Sequence, residues 1–139
     1  NNETASLADP AASQLTAEES SFDFGEISMR KGKVRHTFAL SGKSGSETIL
    51  KKIYTSCMCT AANLTIGGKR IGPFGMPGHA FVPGINEWLK AGSTAQIEVI
   101  FDPAAHGPAG IGPIQRTVFV ESGGNAAPLE LAISAIVKP

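Results

Sequence analysis

"AQIEVIFD", residues 95–102, puts Ile97, Val99 and Phe101 on one face of an extended chain. Apolar residues at a period of two describe a strand with one side in a core. The same period recurs on both sides of this stretch. "VRHTFAL", residues 34–40, sets Val34, His36, Phe38 and Leu40 against Arg35, Thr37 and Ala39. "FDFGEI", residues 22–27, alternates Phe22 and Phe24 and then Ile27 around Gly25, which predicts a first strand with a bulge. "TILKKIYTSCMC", residues 48–59, reads as a further strand carrying Ile49, Ile53 and Tyr54. "IQRTVFVES" contributes Ile114, Val118 and Val120, and "LELAISAIV" contributes Leu129, Leu131, Ile133 and Ala135. Six strands and one short one, about 8 to 14 residues apart, predict an all-β antiparallel sandwich of about seven strands.

The composition agrees. Sixteen glycines and nine prolines mark a turn-rich chain, and 42% hydrophobic residues in 139 suffice for one core. Twelve basic and twelve acidic side chains cancel, so no net field recruits nucleic acid or an anionic membrane. No apolar run approaches the roughly 20 residues that cross a bilayer as a helix. The opening "NNETASLADPAASQ" is small and polar, like a mature chain from which a secretion signal or lipid anchor has been cut. The expected location is therefore extracytoplasmic: periplasm, cell surface or medium. Residues 1–20 read as an arm or tether and 21–139 as the sandwich. Within it, residues 63–92 hold seven glycines and three prolines and read as a long inserted loop. "INEWLKAG" inside that segment could form one helical turn, and Phe74 and Trp88 are expected to pin the loop by burying aromatic area. Two sequons, at Asn2 and Asn63, permit glycosylation.

"FDFGEI", the "SCMCT" of residues 56–60, "LKAGSTAQIEVIFDP" and the final "LELAISAIV" resemble an uncharacterised family of bacterial Ig-like envelope domains. That family is similar to the ASH and major-sperm-protein-like sandwiches. Phe22, Phe24 and Gly25 match its F-x-F-G element, and Cys57, Cys59 and Thr60 match its Cys-x-Cys-Thr. The turn before the late strand departs, with Ala91-Gly92 where Pro-Gly is usual, and so does the long Gly/Pro insertion. The resemblance covers about residues 21–137. It implies an Ig-like topology and a non-enzymatic envelope module.

In an Ig-like sandwich the loops after the first, third and fifth strands open at one end. Here they carry Met29, then Cys57 and Cys59 with the segment bearing Met76 and His79, then His106. Thiol, imidazole and thioether are ligands of soft and borderline cations, so Cys57, Cys59, His79, His106 and Met76 are the candidate ligands for copper or zinc. Cys57 and Cys59 are also the chain's only cysteines, one residue apart. In an extended strand their side chains would point the same way, too far apart for a relaxed disulfide. A disulfide would require the backbone to curl, and buried free thiols are the remaining alternative. His36, on an apolar face, reads as a core histidine. "GGKRIG" lacks the order of a phosphate loop, and no serine elbow or acid–base pair supports catalysis, so no enzyme is expected.

Two functions follow as expectations. One is a structural or assembly module, a surface-filament subunit that donates its arm as a strand, with Leu7, Ala11 and Leu15 binding a partner. Its partners would be other copies of itself or envelope proteins. The alternative is a periplasmic copper- or zinc-binding protein using the cysteine and histidine rim.

Overall fold

The computed structural model describes residues 12–139. Ten strands follow in order: β1 Leu15–Ala17, β2 Ser21–Ser28, β3 Val34–Gly42, β4 Thr48–Thr55, β5 Thr60–Ile66, β6 Lys69–Phe74, β7 Glu87–Leu89, β8 Thr94–Phe101, β9 Gly112–Ser122 and β10 Leu129–Lys138. They form two five-stranded sheets, ordered β1-β3-β8-β5-β6 and β2-β10-β9-β4-β7. The architecture is the expected Ig-like sandwich, with about ten strands rather than about seven.

The inward faces are those the alternation predicts. Phe38, Ile97 and Leu64 lie across β3, β8 and β5 in one register row, all fully buried. Leu50, Ile53, Val118, Val120, Leu131 and Ile133 answer from the second sheet. In β4 a register irregularity between Leu50 and Lys52 turns Ile49 and Tyr54 outward, where Tyr54 stacks on Phe119 at 5.0 Å.

The first strands divide between the sheets. β1 pairs antiparallel with β3, and β2 then crosses to pair parallel with β10. Gly25 sits at the predicted irregularity of β2, with φ of 73°, and its N–H donates to Asp23 Oδ1 at 2.8 Å. Leu15, expected to meet a partner, is instead a core residue of its own chain, 2% exposed. Leu7 and Ala11 lie outside the described residues. His36 stacks on Phe22 at 3.7 Å, meets the edge of Phe38 at 4.8 Å and pairs with Glu19, as a satisfied histidine beside the core does.

The Gly/Pro-rich segment is more regular than a loop. Its start is β5, and Gly67-Gly68, with φ of 55° and 79°, turns β5 into β6 as a two-residue hairpin. The expected helical turn near Trp88 is the strand β7, paired with β4 through Ile49↔Trp88. Phe74 is buried as predicted, but Trp88 is 58% exposed and does not pin the segment. Trp88 stands on the outer face because Leu89 takes the inward position of this short strand.

On the outer face of the first sheet, Glu98 accepts from Arg70 Nη2 at 2.6 Å and lies 3.7 Å from Arg35 Nη1. The Arg70 hydrogen bond, helped by both positive charges, holds the Glu98 carboxyl below its ordinary value of 4.5. Folding lowers this pKa, so the stabilisation is present above the ordinary value and is lost as pH falls through the folded one. Both arginines are more than half exposed, which limits the pairing's worth to less than about 1 kcal/mol. Urea unfolding at about pH 5.5 and about pH 3.5 should therefore show a smaller acid loss, by up to that amount, for Glu98→Gln than for the wild type. An equal or larger loss in the variant would contradict the pairing.

Candidate functional site

β4 ends at Thr55, short of the cysteines, and the chain curls through 56–59 before β5 starts at Thr60. The curl is built from inside. Buried Thr55 Oγ1 lies 3.0 Å from Cys57 O and 2.9 Å from Thr60 O, and the Thr60 N–H donates to Cys57 O at 3.1 Å. From outside, the Ser56 N–H donates to Thr117 O at 2.9 Å, and Ser56 Oγ accepts from the Thr117 N–H at 2.9 Å. Cys59 O accepts from the Asp102 N–H at 2.9 Å, which ties the turn to the segment after β8.

In this turn Cys57 and Cys59 are joined as a disulfide, with Cα atoms 5.2 Å apart. The expected extended strand through residue 59 is thus a turn, and this removes the geometric obstacle to pairing. By the chain-entropy relation a cross-link over one intervening residue contributes only about 1.6 kcal/mol. The hydrogen bonds of Thr55, Ser56 and Cys59 already hold the turn.

Each sulfur has its own nitrogen neighbour. His106 Nε2 lies 3.2 Å from Cys57 Sγ, and the Cys59 N–H donates to the same sulfur at 3.3 Å. Arg116 Nε donates to Cys59 Sγ at 3.2 Å, while its Nη1 donates to Gln115 O at 2.8 Å. Thr60 Oγ1 is 3.4 Å from Cys59 Sγ. The pair is largely covered, Cys57 at 9% and Cys59 at 3% exposure, with His106 exposed beside it. A shallow pocket of about 130 Å³ opens next to Cys59, lined by Lys33, Met58, Thr60, Ala61, Ile100 and Asp102. Lys33 belongs to the β2–β3 connection, so three connections do meet at this rim.

Of the predicted ligands, the ligand atoms of Cys57, Cys59 and His106 lie within 4.8 Å of one another. His79 is not in that cluster among the described residues. It sits instead in a separate turn, where Met76 O accepts from the N–H groups of His79 and Ala80 at 3.1 and 2.9 Å. Met29 packs against the core. The disulfide bears on the expected copper or zinc site. Metals take cysteine as thiolate, and sulfurs bonded to each other are not thiolates, so the pairing argues against metal binding by Cys57 and Cys59. The Asn63 sequon lies in β5 with its side chain covered, which puts it out of reach of a glycosylating enzyme in the folded chain.

Arg116 was not singled out from the sequence, although a signal existed. It occupies the inward register of β9 between the apolar Ile114 and Val118. A permanent cation in an inward slot implies a partner, and here that partner is sulfur.

A family described as "Protein of unknown function (DUF1573)" matches residues 15–70, which include the cysteine turn. No curated protein matches the sequence. Among solved structures the chain is similar to the secreted serine protease VesC from Vibrio cholerae, at 11% identity and a TM-score of 0.55. That match covers 88% of this chain and 23% of the protease. A family 123 glycoside hydrolase from Clostridium perfringens is similar at 8% identity and a TM-score of 0.50, over 83% of this chain and 22% of that one. A PapD-like domain of human CEP192 aligns at 13% identity and a TM-score of 0.48, over 94% and 89%. The chain thus spans under a quarter of each of the two enzymes, and at such identities the likeness is one of fold alone. The family match covers less than half of the chain, and the structural likeness is to the Ig-like sandwich fold.

Proposed function

We propose that this chain is a non-catalytic Ig-like structural or assembly module of an extracytoplasmic compartment, the cell envelope or the extracellular space. The observation that carries this reading is the disulfide between its only two cysteines. Such bonds persist where the surroundings are oxidising and are reduced in most cytosols. Assembly is supported by the outer edge of β2, eight residues long and without a strand partner among the described residues, which is a template for a strand from another chain. Phe81, at 88% exposure, and Trp88 are aromatic anchors of the kind that interfaces use. The partners are other copies of this chain or envelope proteins. Because β1 already fills its place on β3, a donated strand would come from the residues ahead of β1, Leu7 and Ala11 included. Copper and zinc are not part of this reading.

The test has two arms. Cells are fractionated in the presence of an alkylating reagent; the protein is expected outside the cytoplasm with both cysteines unmodified. Recovery from the cytoplasm with both alkylated overturns the location. Light scattering then compares the intact chain with one lacking residues 1–11. A self-associated intact chain that falls to a smaller mass on truncation supports strand donation, and equal masses remove it. A monomeric intact chain overturns self-assembly.

A further inference from the structure

We propose that the Cys57–Cys59 pair is a thiol–disulfide exchange centre, which takes two electrons from an external dithiol and returns them to an external disulfide. This goes beyond the assembly reading; it shares with it the Cys57–Cys59 bond, but the exchange experiment tests it apart from location and assembly.

Three observations carry it. The bond spans a single residue in a turn that backbone and side-chain hydrogen bonds already close, so it cross-links little that would otherwise come apart. Both sulfurs carry hydrogen-bonding nitrogen neighbours, His106 Nε2 at Cys57 and the Arg116 guanidinium at Cys59, each at 3.2 Å. Lys33 and Asp102, of opposite charge, both line the pocket beside Cys59, so the hydrogen-bond donors rather than the pocket's charge single out the sulfurs. Finally, the pair, itself largely covered and counted in the core, has exposed neighbours in Met58 between the two cysteines and His106 beside Cys57. Cations and N–H donors around sulfur favour the thiolate, and stabilising the reduced form makes a disulfide a better oxidant.

The chemistry distinguishes the two cysteines. A thiolate of the external dithiol attacks Cys57 Sγ, the sulfur of the more exposed residue, and forms a mixed disulfide. The Cys57–Cys59 bond breaks, and its electron pair leaves on Cys59 Sγ, where Arg116 holds the thiolate. The second thiolate of the external dithiol attacks its own sulfur in the mixed disulfide, closes the external disulfide and expels Cys57. The two protons of the external dithiol pass to solvent and to the protein sulfurs, with His106 placed to relay one to Cys57. Two electrons enter the protein, and the external dithiol is oxidised by the same two.

The experiment uses the full oxidised chain with dithiothreitol as the dithiol. Aliquots are quenched with iodoacetamide and weighed by mass spectrometry, while circular dichroism follows the fold. The expected result is full reduction with the native spectrum kept. In glutathione buffers Arg116→Met should shift the equilibrium about tenfold toward the disulfide, with Arg116→Lys recovering most of that shift. Should Arg116→Met not fold, two single-cysteine variants decide. Cys59→Ser, which keeps Cys57, is expected to form a mixed disulfide with oxidised glutathione about tenfold faster than Cys57→Ser. A disulfide that yields to dithiothreitol only as the chain unfolds overturns the proposal. So does an equilibrium that folded Arg116→Met leaves unchanged, or equal rates for the two cysteine variants.

Discussion

Phe38→Ala is expected to lower the unfolding free energy by about 3–5 kcal/mol, the usual cost of emptying a buried aromatic site. Phe38 is fully covered, stands opposite Ile97 in the first sheet and packs edge-on with the His36 ring, ring centres 4.8 Å apart and nearly perpendicular. Deleting it leaves a cavity between two sheets whose backbone hydrogen bonds prevent them from closing over it. A domain of this size holds only about 5–15 kcal/mol in total, so the variant would sit near the edge of folding. Trp88→Ala supplies the contrast. Its side chain is larger, yet it is 58% exposed at the short strand β7, and its loss should cost less than about 1 kcal/mol. Urea unfolding followed by circular dichroism measures both. A Phe38→Ala cost no larger than that of Trp88→Ala would mean that the sheets do not pack through this row.

Gly42→Ala should be nearly as damaging, for a different reason. A Cβ there would lie 1.7 Å from the Ser46 carbonyl oxygen and 2.9 Å from its carbon. Its φ of −68° is ordinary, so the penalty is collision with backbone rather than conformational strain. Relief requires opening the β3–β4 connection, which also carries the Lys43 N–H to Gln14 O bond at 2.8 Å and the Gly92 N–H to Gly45 O bond at 3.1 Å. Overpacking of this kind costs about 3 kcal/mol or more where the obstacle cannot move. Gly45→Ala is the control. It has φ of 74° and open space around the missing Cβ, so only the left-handed penalty of about 1–2 kcal/mol applies. Thermal melts should rank wild type above Gly45→Ala above Gly42→Ala. A Gly42→Ala melt at the wild-type temperature would require a different route for the connection.

Much of this fold was legible because strand alternation is a local property. Val34 to Leu40, Ile97 to Phe101 and Leu131 to Ala135 face the core as their spacing demands, and Gly25 marks the irregularity in β2. The errors fall where local pattern is silent. In "TILKKIYTSCMC" nothing in the spacing ends the strand at Thr55; the buried Thr55 hydroxyl, sitting beside two carbonyls of the following turn, does. Trp88 looked like a core residue by its chemistry, but a three-residue strand has one inward slot and Leu89 takes it. Leu15 reads from the sequence as part of a donated arm, whereas β1 pairs beside β3 of its own chain and buries Leu15 in its own core.

The amino-acid order alone therefore determined which stretches extend, which faces turn inward and that the two cysteines share one short segment. Each of these follows from neighbours a few residues apart. Tertiary structure decided that Cys57 and Cys59 bond to each other, that His106 rather than His79 stands beside them, and that Arg116 reaches Cys59. Those contacts join residues 49 and 57 positions apart, and they exist only because the ends of β4 and β8 meet alongside β9 when the sheets pack. Long-range packing chose the site's members, and no periodicity in the chain encodes that choice.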